Sequence, residues 1–183
     1  MQKDNNMQEA VSAFERAIHF KPDFAEAYHN LGFVKGKLGD NEAAIEDFDR
    51  AIRLKPDFAI AYHNRGVIKD ALGQYEAAIA DFDRAIDYAP DYIAAYHNRA
   101  VAKAKLGRLK AAIEDFDAAI YRKQNYAEAY CGRGLAKHEL DRTKEALADF
   151  KIALDLANKA GNDNLRVQVE QLLHALEKEL ATK

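Results

Sequence analysis

The chain holds a single cysteine, Cys131, in 183 residues. That excludes an internal disulfide framework and suits a reducing compartment. No apolar run approaches the ~18 residues that a membrane span requires. The opening MQKDNNMQEA lacks the apolar core of a signal peptide, so a cytoplasmic location is expected and no membrane partner. Proline is scarce, with three residues, while Ala, Glu, Lys, Leu and Arg are abundant, so helix is favoured almost throughout. Net charge is only −3 and no dense basic run occurs, which argues against a nucleic-acid partner. No nucleophile–base pair or phosphate loop stands out, so the chain does not read as an enzyme and no cofactor is expected.

What is present is repetition. Tyr28-His29-Asn30 returns as Tyr62-His63-Asn64 and Tyr96-His97-Asn98, and Tyr130 continues the column at the same step of 34 residues. Four residues after each Tyr stands a small residue: Gly32, Gly66, Ala100, Gly134. Each unit then adds an Ala (Ala44, Ala78, Ala112, Ala146), a Phe (Phe48, Phe82, Phe116, Phe150) and a second Ala (Ala51, Ala85, Ala119, Ala153). Self-similarity at a fixed period marks a repeat array. Within a unit, Tyr28, Leu31, Gly32 and Lys35 share one helical face, and Ala44, Ile45, Phe48, Ala51 and Ile52 form a second stripe. Gly39, Gly73 and Gly107 end the first helix of each pair, and Pro22, Pro56 and Pro90 close the second. Large residues then fill the hollows left by small ones at ~8–10 Å helix separation. No unit buries its own face, so stacking supplies the core.

In period and in the order of large and small residues the chain resembles the tetratricopeptide repeat family. The resemblance covers four full units, 25–158, and half of another, 7–24. It implies an all-α fold, a right-handed α-solenoid of antiparallel helix pairs. The expected organisation is a partial repeat over 1–24 (second helix only), repeats at 25–58, 59–92, 93–126 and 127–158, and a capping helix over 159–183. Too few residues precede Ala10, Phe14 and Ala17 to supply a first helix, so the chain reads as cut from a longer array or as starting on an imperfect cap. Either way Val11, Phe14 and Ile18 are expected to keep less cover than their counterparts, a setting for self-association. In the fourth repeat Cys131-Gly132 replaces His-Asn, Asp141 stands in the Gly position and Gln124 replaces the closing Pro before it. In the tail, Leu165, Val169, Leu172, Leu176 and Leu180 form a 3-4 stripe. It reads as a cap over the last repeat or as a seam for a second molecule, with Leu176 and Leu180 left free.

The resemblance places the first helices along a concave groove that binds peptides. The candidate groove residues are His29, Asn30, Phe33, Lys37, His63, Asn64, Val67, Asp70, His97, Asn98, Val101 and Lys105, with Cys131, Gly132 and Leu135 continuing the columns. An Asn offers an acceptor and two donors, so evenly spaced Asn residues can grip a peptide backbone whatever its side chains. The same residues could instead hydrogen-bond successive helices. The His column reads as groove-lining donors that charge in mild acid, or as a solvated face. It is not a metal site, because adjacent repeats hold these rings ~10 Å apart and zinc ligands sit ~2 Å from one ion. Cys131 reads as an inert thiol.

Arg65, Arg99 and Arg133 each stand four residues before Lys69, Lys103 and Lys137, a like-charge spacing that repels slightly. The acidic column Asp47, Asp81, Asp115 and Asp149 is expected to pair with them across each helix pair. First helices carry net charges of +1, +1 and +3, against −2 and −3 for the second helices of the first two repeats, which favours an acidic peptide. The Lys/Arg clamp with which cochaperones of this family hold a C-terminal carboxylate is missing. Its places carry His29, Phe33, Ile60, Ala94 and Asn98, so heat-shock chaperone tails are not expected partners. The function expected is a non-catalytic protein-interaction module that binds an extended peptide or a partner helix. The alternative is a homo-oligomeric scaffold joined through the open amino-terminal face and the Leu-rich tail.

Overall fold

The computed structural model describes residues 2–181, with side chains from residue 6 onward. Residues 1 and 182–183, the outermost ends of the expected terminal segments, lie outside the described residues. Among the described residues there are ten helices and no strand. They are α1 (Gln2–Phe20), α2 (Ala25–Lys37), α3 (Asn41–Leu54), α4 (Ala59–Ala71), α5 (Tyr75–Tyr88), α6 (Ile93–Lys105), α7 (Leu109–Arg122), α8 (Ala127–His138), α9 (Thr143–Ala160) and α10 (Asp163–Ala181).

Backbone chemistry sets the turns. After α2, Gly39 adopts a left-handed conformation (φ +87). Its amide donates to the Gly36 carbonyl at 3.2 Å, and the Asp40 amide reaches back to Lys35 at 3.0 Å. These two bonds satisfy carbonyls that the helix end would otherwise leave open. The fourth repeat has Asp141 there, and it holds the same conformation at φ 59 with the same pair of bonds; a short polar side chain is among the few that tolerate it. The second helices stop in a common register, α1 at Phe20, α3 at Leu54, α5 at Tyr88 and α7 at Arg122. α7 does so with Gln124 in place of the proline, so the proline reinforces this stop without being required for it.

The chain divides into two compact units, 1–95 and 96–183. In the first, α1 packs on α2, α2 on α3, α3 on α4 and α4 on α5. In the second, α7 packs on α8, α8 on α9 and α9 on α10. Phe48, Phe82, Phe116 and Phe150 are at most 1% exposed, and the eight alanines of the two flanking columns are fully buried. The small-residue column makes this possible. A Cβ added at Gly66 would lie 2.8 Å from the Phe82 ring, and one at Gly134 2.6 Å from Phe150.

At the amino-terminal edge Phe14 is only half-buried where its counterpart Phe48 is buried, the reduced cover expected of it, and Ala10 and Ala17 are half-buried too. Val11 and Ile18, for which the same was expected, are half-buried like their counterparts Ile45 and Ile52 and show no such difference. At the other edge α10 lies over Phe150, Ala153 and Ala157 of α9. The expectation that Leu176 stays free is overturned, since it is 2% exposed. Leu173, outside the expected stripe, is buried as well, while Leu172 is only partly covered. The buried line of α10 runs 165, 169, 173, 176, because two four-residue steps rotate the contact onto Leu173 before a three-residue step brings it back.

Candidate functional site

The first helices carry three layers of chemistry, beginning with the ion pairs beneath them. Lys35 meets Asp47 at 2.7 Å, Lys69 meets Asp81 at 2.8 Å, Lys103 meets Asp115 at 2.8 Å and Lys137 meets Asp149 at 2.7 Å. The Arg column joins them: Arg65 Nε donates to Asp81 at 2.9 Å, Arg99 Nε to Asp115 at 2.8 Å and Arg133 Nε to Asp149 at 2.9 Å. Arg65 also reaches Asp49, and Arg133 reaches Asp117. Opposed carboxylates thus hold the like charges together, as the columns imply. The first repeat has Leu31 in the Arg position, so Asp47 has one cation instead of two, and burial pushes its carboxyl above the ordinary carboxylate range. Of the cations behind the net positive count of the first helices, Lys35, Arg65, Lys69, Arg99 and Lys103 are already engaged by the second helices. The electrostatic argument for an acidic partner is weakened accordingly and rests on Lys37 and Lys105.

The second layer is a ladder of His and Asn. Asn64 Nδ2 lies 2.9 Å from His29 Nε2, and an amide nitrogen can only donate, so Nε2 accepts and the ring proton sits on Nδ1. That proton goes to Asn30 Oδ1 at 3.1 Å. In the next repeat His63 Nδ1 donates to Asn64 Oδ1 at 3.1 Å, with Tyr92 Oη equally close. The rings are packed as well as bonded. His29 lies against Phe48 and Phe58, His63 against Phe82 and Tyr92, and His97 against Phe116 and Tyr126. His29 and His63 are buried. Burial holds His29, His63 and His97 below the ordinary imidazole value, opposed at His29 by the Asn30 bond and Glu26, at His63 by the Asn64 bond and at His97 by Glu128. The expected mild-acid donors are therefore neutral, packed rings, and the alternative of a solvated face fails too.

A pH dependence follows. The unfolded chain takes up protons at these rings below pH 6.5, whereas the folded rings resist until a lower pH. Their contribution is complete above 6.5 and declines as pH falls from there through the lower folded values. Urea midpoints at pH 7.5 and 5.5 are expected to differ less for His29→Phe plus His63→Phe than for the parent chain. An equal difference would remove the rings from the explanation.

The third layer is a cleft that occurs twice. In the first unit Phe33, Gly36, Lys37, Asn64, Val67 and Ile68 surround a cavity of ≈ 100 Å³ over the Phe48 ring. Displaced by 68 residues, the same seven columns recur in the second unit as Val101, Ala104, Lys105, Gly132, Leu135 and Ala136 over Phe116. This cavity measures ≈ 240 Å³ and gains Glu139. Of the candidate groove residues, the first cleft brings together Phe33, Lys37, Asn64 and Val67, and the second Val101 and Lys105. Phe33 and Val67 are exposed, and Lys37 extends over the Phe33 ring at 5.4 Å. Asn30, Asp70 and Asn98 line neither cleft, and the His residues belong to the packed layer. The lining residues not anticipated, Gly36, Ile68, Ala104, Ala136 and Glu139, sit one turn from the Phe33 column or beside it. Cys131 is buried, and burial, aided by Glu128, pushes its thiol up to about 11, so it is no nucleophile at neutral pH.

Family models for the tetratricopeptide repeat match residues 3–39, 25–58, 48–80, 71–107, 93–126 and 127–159. The chain belongs to the tetratricopeptide repeat family. No curated protein sequence matches it significantly. Among solved structures it is similar to MamA, at 26% identity and TM-score 0.81, over 88% of this chain and 94% of that one. YrrB is 19% identical with TM-score 0.75, over 93% and 86% of the two chains. A thermophilic TPR protein of Thermus thermophilus is 24% identical with TM-score 0.74, over 94% and 93%. The latter two likenesses speak to the fold alone. The tetratricopeptide repeat is a non-catalytic protein-interaction module, and the all-α, α-solenoid fold class expected of this chain is the one found. Among the described residues no helix is long and apolar enough to cross a membrane.

Proposed function

We propose that this tetratricopeptide repeat protein binds an extended peptide or a partner helix in the clefts between its successive first helices. The observation that carries the reading is the recurrence of one seven-column cleft in both units. Asn64 commits its carbonyl oxygen and one amide hydrogen to the ladder, and its second amide hydrogen is left to meet a peptide carbonyl. YrrB, described as a TPR protein with an unusual peptide-binding site, carries such a site on a similar fold.

A second reading, a self-associating scaffold, is favoured by the half-buried Phe14, Ala10 and Ala17 of α1. It loses its carboxy-terminal half, because Leu176 is covered within the chain. One experiment separates the two: capture of partners from extract by the parent chain and by Asn64→Ala plus Val101→Ala, one lining residue of each cleft, with light scattering across concentration on both. Loss of captured partners from a monomer supports the clefts. Unchanged capture of every partner, with mass growing on concentration, supports the scaffold and discards the clefts.

A further inference from the structure

The two clefts share columns but not chemistry, and the differences point in one direction. Going from the first to the second, Asn64 becomes Gly132, Ile68 becomes Ala136 and Ala71 becomes Glu139. Loss of the Asn and Ile side chains opens the cavity from ≈ 100 to ≈ 240 Å³. That is below the roughly 300–1,000 Å³ of cofactor and small-molecule sites, and it is the scale of one large side chain. Phe116 forms the floor, and Val101, Ala104, Leu135 and Ala136 supply apolar walls.

The lip is negative. Glu139 is exposed and is the C-cap of α8, where the helix dipole adds partial negative charge to that of the carboxylate. Neighbouring basic side chains do not cancel it: Lys137 is held by Asp149 at 2.7 Å, and His138 faces Glu179 at 3.6 Å. Lys105, on the other wall, already has an interaction within the protein, whereas no ion pair of Glu139 is found among the described residues.

We propose that the second cleft anchors a partner segment in which a phenylalanine- or leucine-sized side chain stands beside an arginine or lysine. The apolar side chain fills the cavity above Phe116, and the cation meets Glu139. This rests on the reading of the clefts as peptide sites and names the chemistry that one of them selects.

Three acetylated, amidated hexapeptides test it: Gly-Ser-Phe-Arg-Ser-Gly, its Phe-Glu counterpart and its Ala-Arg counterpart, each titrated against methyl-labelled protein. The Phe-Arg peptide is expected to move the Val101 and Leu135 methyls while leaving those of Val67 and Ile68 in place. The Phe-Glu peptide binds roughly two- to fivefold more weakly, the scale of an exposed ion pair. The Ala-Arg peptide loses about tenfold or more with its buried side chain. Glu139→Arg, an exposed position outside the core, reverses the order of the Phe-Arg and Phe-Glu peptides. Equal affinities for those two, no reversal in the variant, or equal shifts at Val67 and Ile68 each overturn the proposal. Absent Phe-Arg binding beside retained, cleft-dependent partner capture sinks this inference alone, and loss of both sinks the cleft reading with it.

Discussion

Truncating Phe82 to alanine is expected to lower the unfolding free energy by about 3–5 kcal/mol. The ring is fully buried, lies against His63 with centroids 5.8 Å apart, and comes so near Gly66 that a Cβ there would meet its Cε1 at 2.8 Å. Gly66→Ala alone forces the ring aside and should cost about 1–3 kcal/mol. Combined with Phe82→Ala, the same methyl enters the vacated space, and its nearest remaining neighbour among the three closest atoms is the Ala78 carbonyl at 3.2 Å. The double variant should therefore lose less than the two single losses together, by roughly 0.5–3 kcal/mol. Urea denaturation of all four chains measures the coupling. The third repeat shows that the column accepts a methyl, since Ala100 occupies it fully buried. Strict additivity would mean that Gly66 is not there to admit the ring.

Features with a period of 34 were legible in the sequence because each is stated three or four times. The Phe and Ala columns, the helix-ending glycines and the pairing of the Lys and Arg columns with Asp47, Asp81, Asp115 and Asp149 belong to this class. The His column was misjudged for a physical reason. Imidazole suits water or a packed interior, and what decides here is the closing aromatic of each repeat, Phe58, Tyr92 or Tyr126, folding back onto the ring. That return follows from the path of the loop and leaves no mark on helical spacing. The Asn64–His29 bond joins residues 35 apart, one more than the period, so it becomes visible only when successive first helices are set side by side. In the tail, Leu172 and Leu173 stand next to each other and spacing alone admits either, so packing on α9 made the choice. The clefts were half legible: the Phe33 column marked their rim, but walls built by Ile68 or Ala136 depend on the neighbouring helix.

Asp149→Ala is expected to cost about 3–5 kcal/mol, far more than an ordinary surface ion pair, because it removes the buried carboxylate that two cations share. The Asp149 carboxylate, with a side chain 4% exposed, receives Arg133 Nη2 at 2.6 Å and Lys137 Nζ at 2.7 Å. Arg133 also reaches Asp117 of α7, so the cluster ties α8 to the preceding helix as well as to α9. Without Asp149, Lys137 keeps only Glu145 at 4.0 Å, and that carboxylate is half exposed. Removing the charges together tests whether the cost is stranding or lost attraction. Arg133→Met, Lys137→Met and Asp149→Leu in one chain should lose much less than Asp149→Ala alone, since well-packed apolar groups in place of a buried ion cluster are often neutral or better. Asp47→Ala offers an internal comparison, because one cation, Lys35, meets that carboxylate instead of two; its loss should be the smaller. Equal losses at Asp47 and Asp149, or a triple variant weaker than Asp149→Ala, would show that these clusters hold the repeats together by attraction and not by the penalty of leaving a buried cation unanswered.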